Sequence, residues 1–314
     1  MLAGNRRALA RAISIVENGG TDASYVVRKL FSYCGKAHII GVTGSPGVGK
    51  STLVDALIVQ IRQAGLKVGV LAVDPSSPFT GGAILGDRIR MQEHTMDKGV
   101  FIRSMANRGH TGGTALATFD AARVLEASGY GVIIIETVGV GQSELAIAQT
   151  ADTTILVLMP GSGDEIQAIK SGIMEIGDIF VVNKGDLPGS NKTATEILNS
   201  LELVSYNNGW KPPVLVAVAE TGTGMKDVWE KVQCHKRFLD TSGQLEDRRR
   251  PKIEAELVEL VAEMARVNVK QSLEAAPHLQ DLLVQVLKGQ IDPHSAADEL
   301  AQELFGTGKQ GAKD

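Results

Sequence analysis

Short apolar runs alternate with amphipathic stretches over most of this chain. Continuous apolarity, rather than a regular alternation of apolar and polar residues, indicates strands that are covered on both faces. The stretches between the runs have helical spacing, so the region from His38 to about Asp240 predicts an α/β fold, a mostly parallel sheet with helices on both faces. Six runs predict strands, at residues 38–43, 68–73, 131–136, 154–159, 178–182 and 214–218.

Helical patterns flank this α/β region on both sides. Before it, apolar residues recur at helical spacing over residues 5–17, and a second helix is expected from Thr21 to Gly35. After it, two apolar helix faces run over residues 253–267 and 279–287. A third helix is expected to begin with Asp292 as N-cap and Pro293 as first helical residue. The last three helices lack a core of their own, so they must pack on the α/β region or on a second subunit.

The pattern divides the chain into four parts. Residues 1–37 are a helical lead-in, residues 38–245 the α/β domain, residues 246–305 a helical arm and residues 306–314 a tail that we expect to be disordered. The charged stretch from Asp247 to Pro251 is interpreted as the boundary before the arm.

Composition narrows the classes of function. Hydrophobic residues make up 43% and charged residues 22% of the 314 residues, which is typical of a globular protein. The net charge of −4 gives no reason to expect nucleic acid or an anionic membrane as a partner. The two cysteines, Cys34 and Cys234, lie far apart and indicate a reducing compartment. With no signal-peptide pattern and no apolar run of membrane-spanning length, we expect a cytoplasmic protein.

A glycine-rich loop follows the first predicted strand and opens a helix. It fits the P-loop pattern, in which glycines let backbone N–H groups approach phosphate oxygens and the helix N-terminus favours negative charge. Lys50 is expected to reach the β and γ phosphates, and the Ser51 hydroxyl to bind Mg²⁺. The nucleotide-binding residues predicted here are Gly44, Ser45, Pro46, Gly47, Val48, Gly49, Lys50, Ser51 and Thr52.

A second motif follows the strand predicted at residues 178–182. Asn183, Lys184 and Asp186 match the guanine-recognition pattern NKxD. The carboxylate of Asp186 can accept from both the N1–H and the N2 amine of guanine, and adenine offers no such pair of donors. Ala219, after the last predicted strand, is the small residue expected to let a backbone N–H reach the guanine carbonyl. We therefore predict binding of GTP and GDP.

Three acids are candidates for the phosphate side of the site. Glu136 ends a strand where most GTPases have Asp-x-x-Gly, and Gly139 can offer its N–H to the γ-phosphate. Asp74 ends another strand, and Asp87 lies in a glycine-rich loop. Carboxylates next to a Mg²⁺–phosphate site hold the metal or orient the attacking water. Mg²⁺ with GTP or GDP is the expected cofactor set, with no tightly bound organic cofactor.

Several longer motifs resemble those of the MeaB/ArgK-type GTPases. They are Asp74-Pro75-Ser76-Ser77, Gly81-Gly82-Ala83-Ile84-Leu85-Gly86-Asp87-Arg88, Arg103-Ser104-Met105 with Arg108-Gly109-His110, and Glu136-Thr137-Val138-Gly139-Val140-Gly141-Gln142-Ser143-Glu144. The resemblance implies a homodimeric GTPase that chaperones an adenosylcobalamin-dependent acyl-CoA mutase, usually methylmalonyl-CoA mutase, and gates the loading or protection of its cofactor.

The resemblance also implies roles for individual residues. Asp74, Asp87 and Glu136 fall on the family's Mg²⁺ and switch acids. Lys170, at the end of Gly163–Lys170, falls on its third, partner-responsive switch. The catalytic candidates are therefore Lys50, Asp74, Asp87, Glu136 and Lys170. One departure from the family pattern is Val218 before Ala219, where Ser is the commoner residue.

Three other functions remain open on the sequence. A metal-insertion GTPase would share the fold, but such proteins usually carry paired Cys and His ligands, and the six His here show no paired spacing. A small-molecule kinase would need an acceptor pocket and usually lacks NKxD. A pure binding module would hold the nucleotide without turnover.

Overall fold

The central feature of the computed structural model is one sheet of seven parallel strands within the described residues. Their bounds are β1 His38–Thr43, β2 Val68–Asp74, β3 Val100–Ala106, β4 Val132–Thr137, β5 Thr153–Leu158, β6 Ile179–Val182 and β7 Val214–Val216. The order across the sheet is β3-β2-β4-β1-β5-β6-β7. The structure describes residues 1–2, 4–74, 94, 96–106, 111–137, 150–161, 173–203, 209–275 and 277–306.

The predicted α/β class is confirmed, and the sheet has one strand that we did not predict. β3 was missed because Arg103 and Ser104 interrupt its apolar residues. Its position at the sheet edge explains why it tolerates them, since an edge strand has a single neighbouring strand. The Arg103 guanidinium forms an ion pair with Glu17 and donates to the Ser14 hydroxyl at 3.1 Å, so its charge is paired.

Nine α-helices accompany the sheet in the described part of the chain. They are α1 Arg6–Asn18, α2 Gly20–Leu30, α3 Lys50–Gln63, α4 Thr111–Ala127, α5 Ser190–Glu202, α6 Met225–Ser242, α7 Gln244–Ala275, α8 Pro277–Leu287 and α9 Pro293–Phe305. The second predicted helix ends at Leu30 instead of Gly35 and continues as a short 3₁₀ turn, Phe31–Tyr33. None of the described helices is long and apolar enough to cross a membrane.

The helices cover both faces of the sheet, which explains the continuous apolarity of its strands. On one face, Ile40 and Val42 of β1 join a core formed with α3 and α6. On the other face, α1, α2 and α4 pack over β2, β3 and β4, and Ile197 of α5 packs on β5 and β6. The lead-in helices are thus part of the core beside the sheet.

The contacts separate the chain into two units, Met1–Ile253 and Glu254–Asp314. Helix α7 runs through this division, and Pro251 lies inside it, so the charged stretch that we interpreted as a boundary is helical. In the second unit, α8 and α9 contact each other. The predicted cap of α9 is confirmed, because the Asp292 carboxylate accepts from the backbone N–H groups of His294 and Ser295.

Candidate guanine nucleotide site

The P-loop lies between the carboxyl end of β1 and the first turn of α3. Gly44, Gly47 and Gly49 have φ angles of 144°, 81° and 88°, a region that side chains disfavour. A Cβ on Gly44 would lie 2.1 Å from the carbonyl oxygen of Val157, and one on Gly49 would lie 2.5 Å from Nδ2 of Asn183. Backbone conformation therefore favours glycine at all three positions, and close packing requires it at Gly44 and Gly49 as well.

The ammonium group of Lys50 is held within this loop. The residue is 7% exposed, and its Nζ donates to the carbonyl oxygens of Gly44 at 2.7 Å and Ser45 at 3.1 Å. The loop therefore concentrates positive charge where the N-terminus of α3 also favours an anion. Thr52 lies in the first turn of the same helix.

Ser51, in the first turn of α3, and Glu136, near the end of β4, meet beside the loop. The Ser51 hydroxyl donates to Oε1 of Glu136 at 2.5 Å, and Glu136 is 1% exposed. Hydroxyl and carboxylate oxygens are the ligands that Mg²⁺ prefers, so this pair fits a magnesium site. The backbone of Asp74 ends β2, the strand next to β4, at the same edge of the sheet.

The guanine motif is joined directly to the P-loop. Nδ2 of Asn183 donates to the carbonyl oxygen of Val48 at 2.9 Å, and its Oδ1 accepts from the Ala219 N–H at 3.0 Å. Lys184, at φ 54°, donates from Nζ to the carbonyl oxygen of Gly47 at 2.9 Å. Three loops that are distant in sequence are thus held in one site.

Asp186 lies on the outer side of this junction. Its side chain is exposed, and the preceding Gly185 N–H donates to the carbonyl oxygen of Ala217 at 2.9 Å. The carboxylate is therefore accessible to a base while its backbone is fixed against the Ala219 loop. This geometry suits recognition of the N1–H and N2 donors of guanine.

The protein-family model described as "Methylmalonyl Co-A mutase-associated GTPase MeaB" matches residues 9–274, which is most of the chain. The chain belongs to the MeaB family. As a member of this family it is a P-loop GTPase, a class that generally binds its nucleotide with Mg²⁺.

Similar proteins agree with this MeaB-family assignment. A protein of Pyrococcus horikoshii named as a GTPase is 50% identical over 96% of this chain and 96% of its own length. The mouse protein named methylmalonic aciduria type A homolog, mitochondrial, is 32% identical over 96% of this chain and 77% of its own length. A crystal structure described as a LAO/AO transport system kinase has a TM-score of 0.68 at 28% identity, over 96% of this chain and 94% of that one.

Some predicted residues of this MeaB-family site lie outside the described residues. These are Asp87, Gly139 and Lys170, and the side chain of Asp74, so their roles remain predictions. Sequence reasoning did not anticipate that Asn183 and Lys184 bind P-loop carbonyls. The Ala219 N–H donates to Asn183 Oδ1 in this structure, and the role of Ala219 as the small residue beside the guanine carbonyl remains a prediction. The NKxD pattern indicates which base is read but carries no signal for these packing contacts.

Proposed function

We propose that this MeaB-family GTPase binds an adenosylcobalamin-dependent acyl-CoA mutase and uses GTP hydrolysis to gate loading or protection of the mutase cofactor. The observation that carries the proposal is the junction of P-loop and guanine motif through Asn183, in a chain that the mutase-associated family model matches from residue 9 to 274. Methylmalonyl-CoA mutase is the candidate partner that the family description names.

The residues of the site divide the work of binding and hydrolysis. Lys50 contributes a charge to the β and γ phosphates, and Asp186 selects the base. Ser51 and Glu136 would hold Mg²⁺, with Asp74 and Asp87 as further acids near it. A bound Mg²⁺ would supply neutralisation of phosphate charge. Gly139 is proposed to contact the γ-phosphate through its N–H.

We propose that hydrolysis is slow until the mutase binds. Neither the P-loop nor the segment Glu136–Glu144 contains an arginine, the residue that commonly stabilises charge on the transferred phosphoryl group. Lys170 is the candidate to supply that charge when the partner binds. A flexible ammonium can provide a point charge, although it cannot provide the two-pronged contact of a guanidinium.

GTP turnover by wild type and Lys170→Ala, with and without saturating mutase, tests this proposal. A charge supplied by an arginine in this role is worth about 10³–10⁵ in rate, and we expect a smaller but clear stimulation of wild type by the mutase. The Lys170→Ala protein should bind the mutase yet lose most of the stimulation. Lys192→Ala, at a lysine whose side chain is 81% exposed on α5, is the matched control. Full stimulation of the Lys170 variant would show that Lys170 does not supply the charge. If wild type binds no such mutase, the proposal that a mutase is the partner is wrong.

We also propose that the protein is a homodimer formed through α7. Large apolar side chains on this helix are between 42% and 69% exposed, at Ile253, Leu257, Val258, Val261, Met264 and Val267. Five apolar residues of α7 are spaced alternately by four and three residues, which is typical of a coiled-coil seam: Ile253, Leu257, Leu260, Met264 and Val267. A face of this kind is normally covered by a second helix.

Charged substitutions in this seam are expected to yield a monomer. Leu257→Asp combined with Met264→Asp places two carboxylates in the proposed apolar contact, where burial of an unpaired charge is costly. Ala262→Asp, at an exposed position on the other side of the helix, is the control and should leave the mass unchanged. Light scattering that finds the double variant dimeric would rule out α7 as the dimer contact.

A further inference from the structure

Two aspartates join neighbouring strands at the amino-terminal ends of the strands, opposite the nucleotide site, which lies at their carboxyl ends. The Asp152 N–H donates to the carbonyl oxygen of Ile39 at 2.7 Å, and its carboxylate accepts from the Ile39 N–H at 3.0 Å. Asp178 repeats the arrangement with Thr154, at 2.9 Å and 2.7 Å. Each aspartate thus fixes the start of its own strand to the neighbouring strand at two points, so β1, β5 and β6 are held together.

Two consecutive arginines at the beginning of α7 bind these carboxylates. Arg248 donates from both terminal nitrogens to Asp178, at 2.8 Å and 2.6 Å. Arg249 donates to both oxygens of Asp152, at 2.8 Å and 2.6 Å. Such paired contacts combine charge with fixed geometry, so they specify where the strands begin. We name these four residues the arginine clamp.

Arg249 also holds the segment that leads into β1. It donates to the carbonyl oxygens of Gly35 at 3.0 Å and Ala37 at 2.9 Å. Burial alone would raise the pKa of the Asp152 carboxyl, but the hydrogen bonds and charge of Arg249 hold this pKa below its ordinary value. The ionised pair therefore persists at neutral pH.

Two neutral histidines fill the space beside the clamp. Thr153 Oγ1 lies 2.7 Å from Nε2 of His38 and 2.8 Å from Nδ1 of His235. Burial lowers the pKa of His38 to about 3 and that of His235 to about 4. Because both rings are uncharged at neutral pH, the two carboxylates remain available to the two arginines.

The same three strands carry the nucleotide site at their other ends, about 13–20 Å away for strands of four to six residues. β1 leads into the P-loop at Gly44, which leaves no room for a Cβ against the Val157 carbonyl of β5. β6 leads into Asn183, which bonds the P-loop at Val48. These close contacts require the three strands to keep their mutual register.

We propose that Arg248 and Arg249 are positioning residues for nucleotide binding. By fixing where β1, β5 and β6 begin, they hold the P-loop, the Val157 carbonyl that packs against Gly44, and the guanine motif at the spacing that GTP requires. In the described residues, their hydrogen bonds reach these strands and not β4, which carries Glu136. Loss of the clamp should therefore weaken binding more than it slows the chemical step.

Steady-state GTP hydrolysis by Arg248→Met and Arg249→Met tests this inference, together with GDP affinity by calorimetry. We expect KM for GTP and Kd for GDP to rise about tenfold, which corresponds to about 1.4 kcal/mol of binding free energy. The kcat per folded molecule should change little. Arg250→Met, which removes the next and more exposed arginine of the same helix, should leave both constants unchanged.

A merely structural role would give a different result. It would lower the folded fraction and hence the apparent kcat, while KM and the GDP affinity of the remaining molecules stayed at wild-type values; that outcome would overturn the proposal. If a methionine variant does not fold, Arg248→Lys and Arg249→Lys decide the question, because they keep the charge and lose the paired contact. The lysine variants should then show a smaller rise in KM than the roughly tenfold rise expected for methionine. An unchanged KM in both lysine variants would refute the role.

Discussion

Lys50→Ala is expected to abolish or severely weaken the binding of GTP. The Lys50 ammonium is buried inside the P-loop, where two loop carbonyls hold it next to the N-terminus of α3. A hydrogen bond to a charged group is worth about 1.5–3 kcal/mol, which corresponds to roughly 10- to 150-fold in affinity. The effect should be larger for GTP than for GDP, because the γ-phosphate adds a further contact with the same charge.

Isothermal calorimetry with GTP and GDP measures this loss directly. Lys67→Ala, which removes an exposed lysine just after α3, is a control that should bind both nucleotides as wild type does. Circular dichroism establishes that the Lys50 variant is folded. A folded Lys50→Ala protein with wild-type GTP affinity would show that the loop is not a phosphate-binding P-loop.

The fold could be predicted where strands are buried on both faces. Ile133, Ile134 and Ile135 of β4 are all buried, on alternating faces of the sheet. Their run is therefore apolar throughout, unlike an amphipathic surface helix, in which polar residues recur every three or four positions. β3 gave no such signal because it lies at the sheet edge and pairs its Arg103 with α1. Edge strands are under weaker compositional constraint, and this explains the one strand that was missed.

The nucleotide site could be predicted in its parts and not in their connections. The glycines at positions 44, 47 and 49 indicate a phosphate loop because their spacing reflects a local backbone requirement. That Ser51 and Glu136 lie near one site was predictable, because the P-loop follows β1, Glu136 lies near the end of the neighbouring β4, and the carboxyl ends of parallel strands carry the ligand site. The bond from Asn183 to Val48 joins residues far apart in sequence, and no local pattern reports it.

The arginine clamp could not have been predicted for the same reason. Asp152 and Asp178 resemble ordinary loop acids in the sequence, since each simply precedes an apolar run. The run of three arginines at 248–250 looks like a solvated boundary, and only the tertiary structure brings two of them to buried carboxylates. Ion pairs between residues far apart in the chain produce no periodic pattern in the sequence from which they could be predicted.

The choice of base is the property that most clearly separates a guanine nucleotide hydrolase from other P-loop proteins. Asp186 is exposed beside the Ala219 loop, where its carboxylate can accept from N1–H and the N2 amine of guanine. Asn at this position keeps one acceptor and gains an amide donor, which matches the N1–H and the 2-oxo group of xanthine. Two hydrogen bonds to a charged group, at about 1.5–3 kcal/mol each, correspond to a change in preference of roughly 10²–10⁴-fold.

Multiple-turnover phosphate release from GTP, xanthosine triphosphate and ATP, by wild type and Asp186→Asn, tests the central claim most directly. Asp227→Asn, an exposed aspartate on α6, is the control and should behave as wild type. Wild type should release many phosphates per site from GTP and few from the other two nucleotides, and Asp186→Asn should prefer xanthosine triphosphate. Retained GTP preference in the variant, or release of no more than one phosphate per site by wild type, would contradict the assignment as a GTP hydrolase.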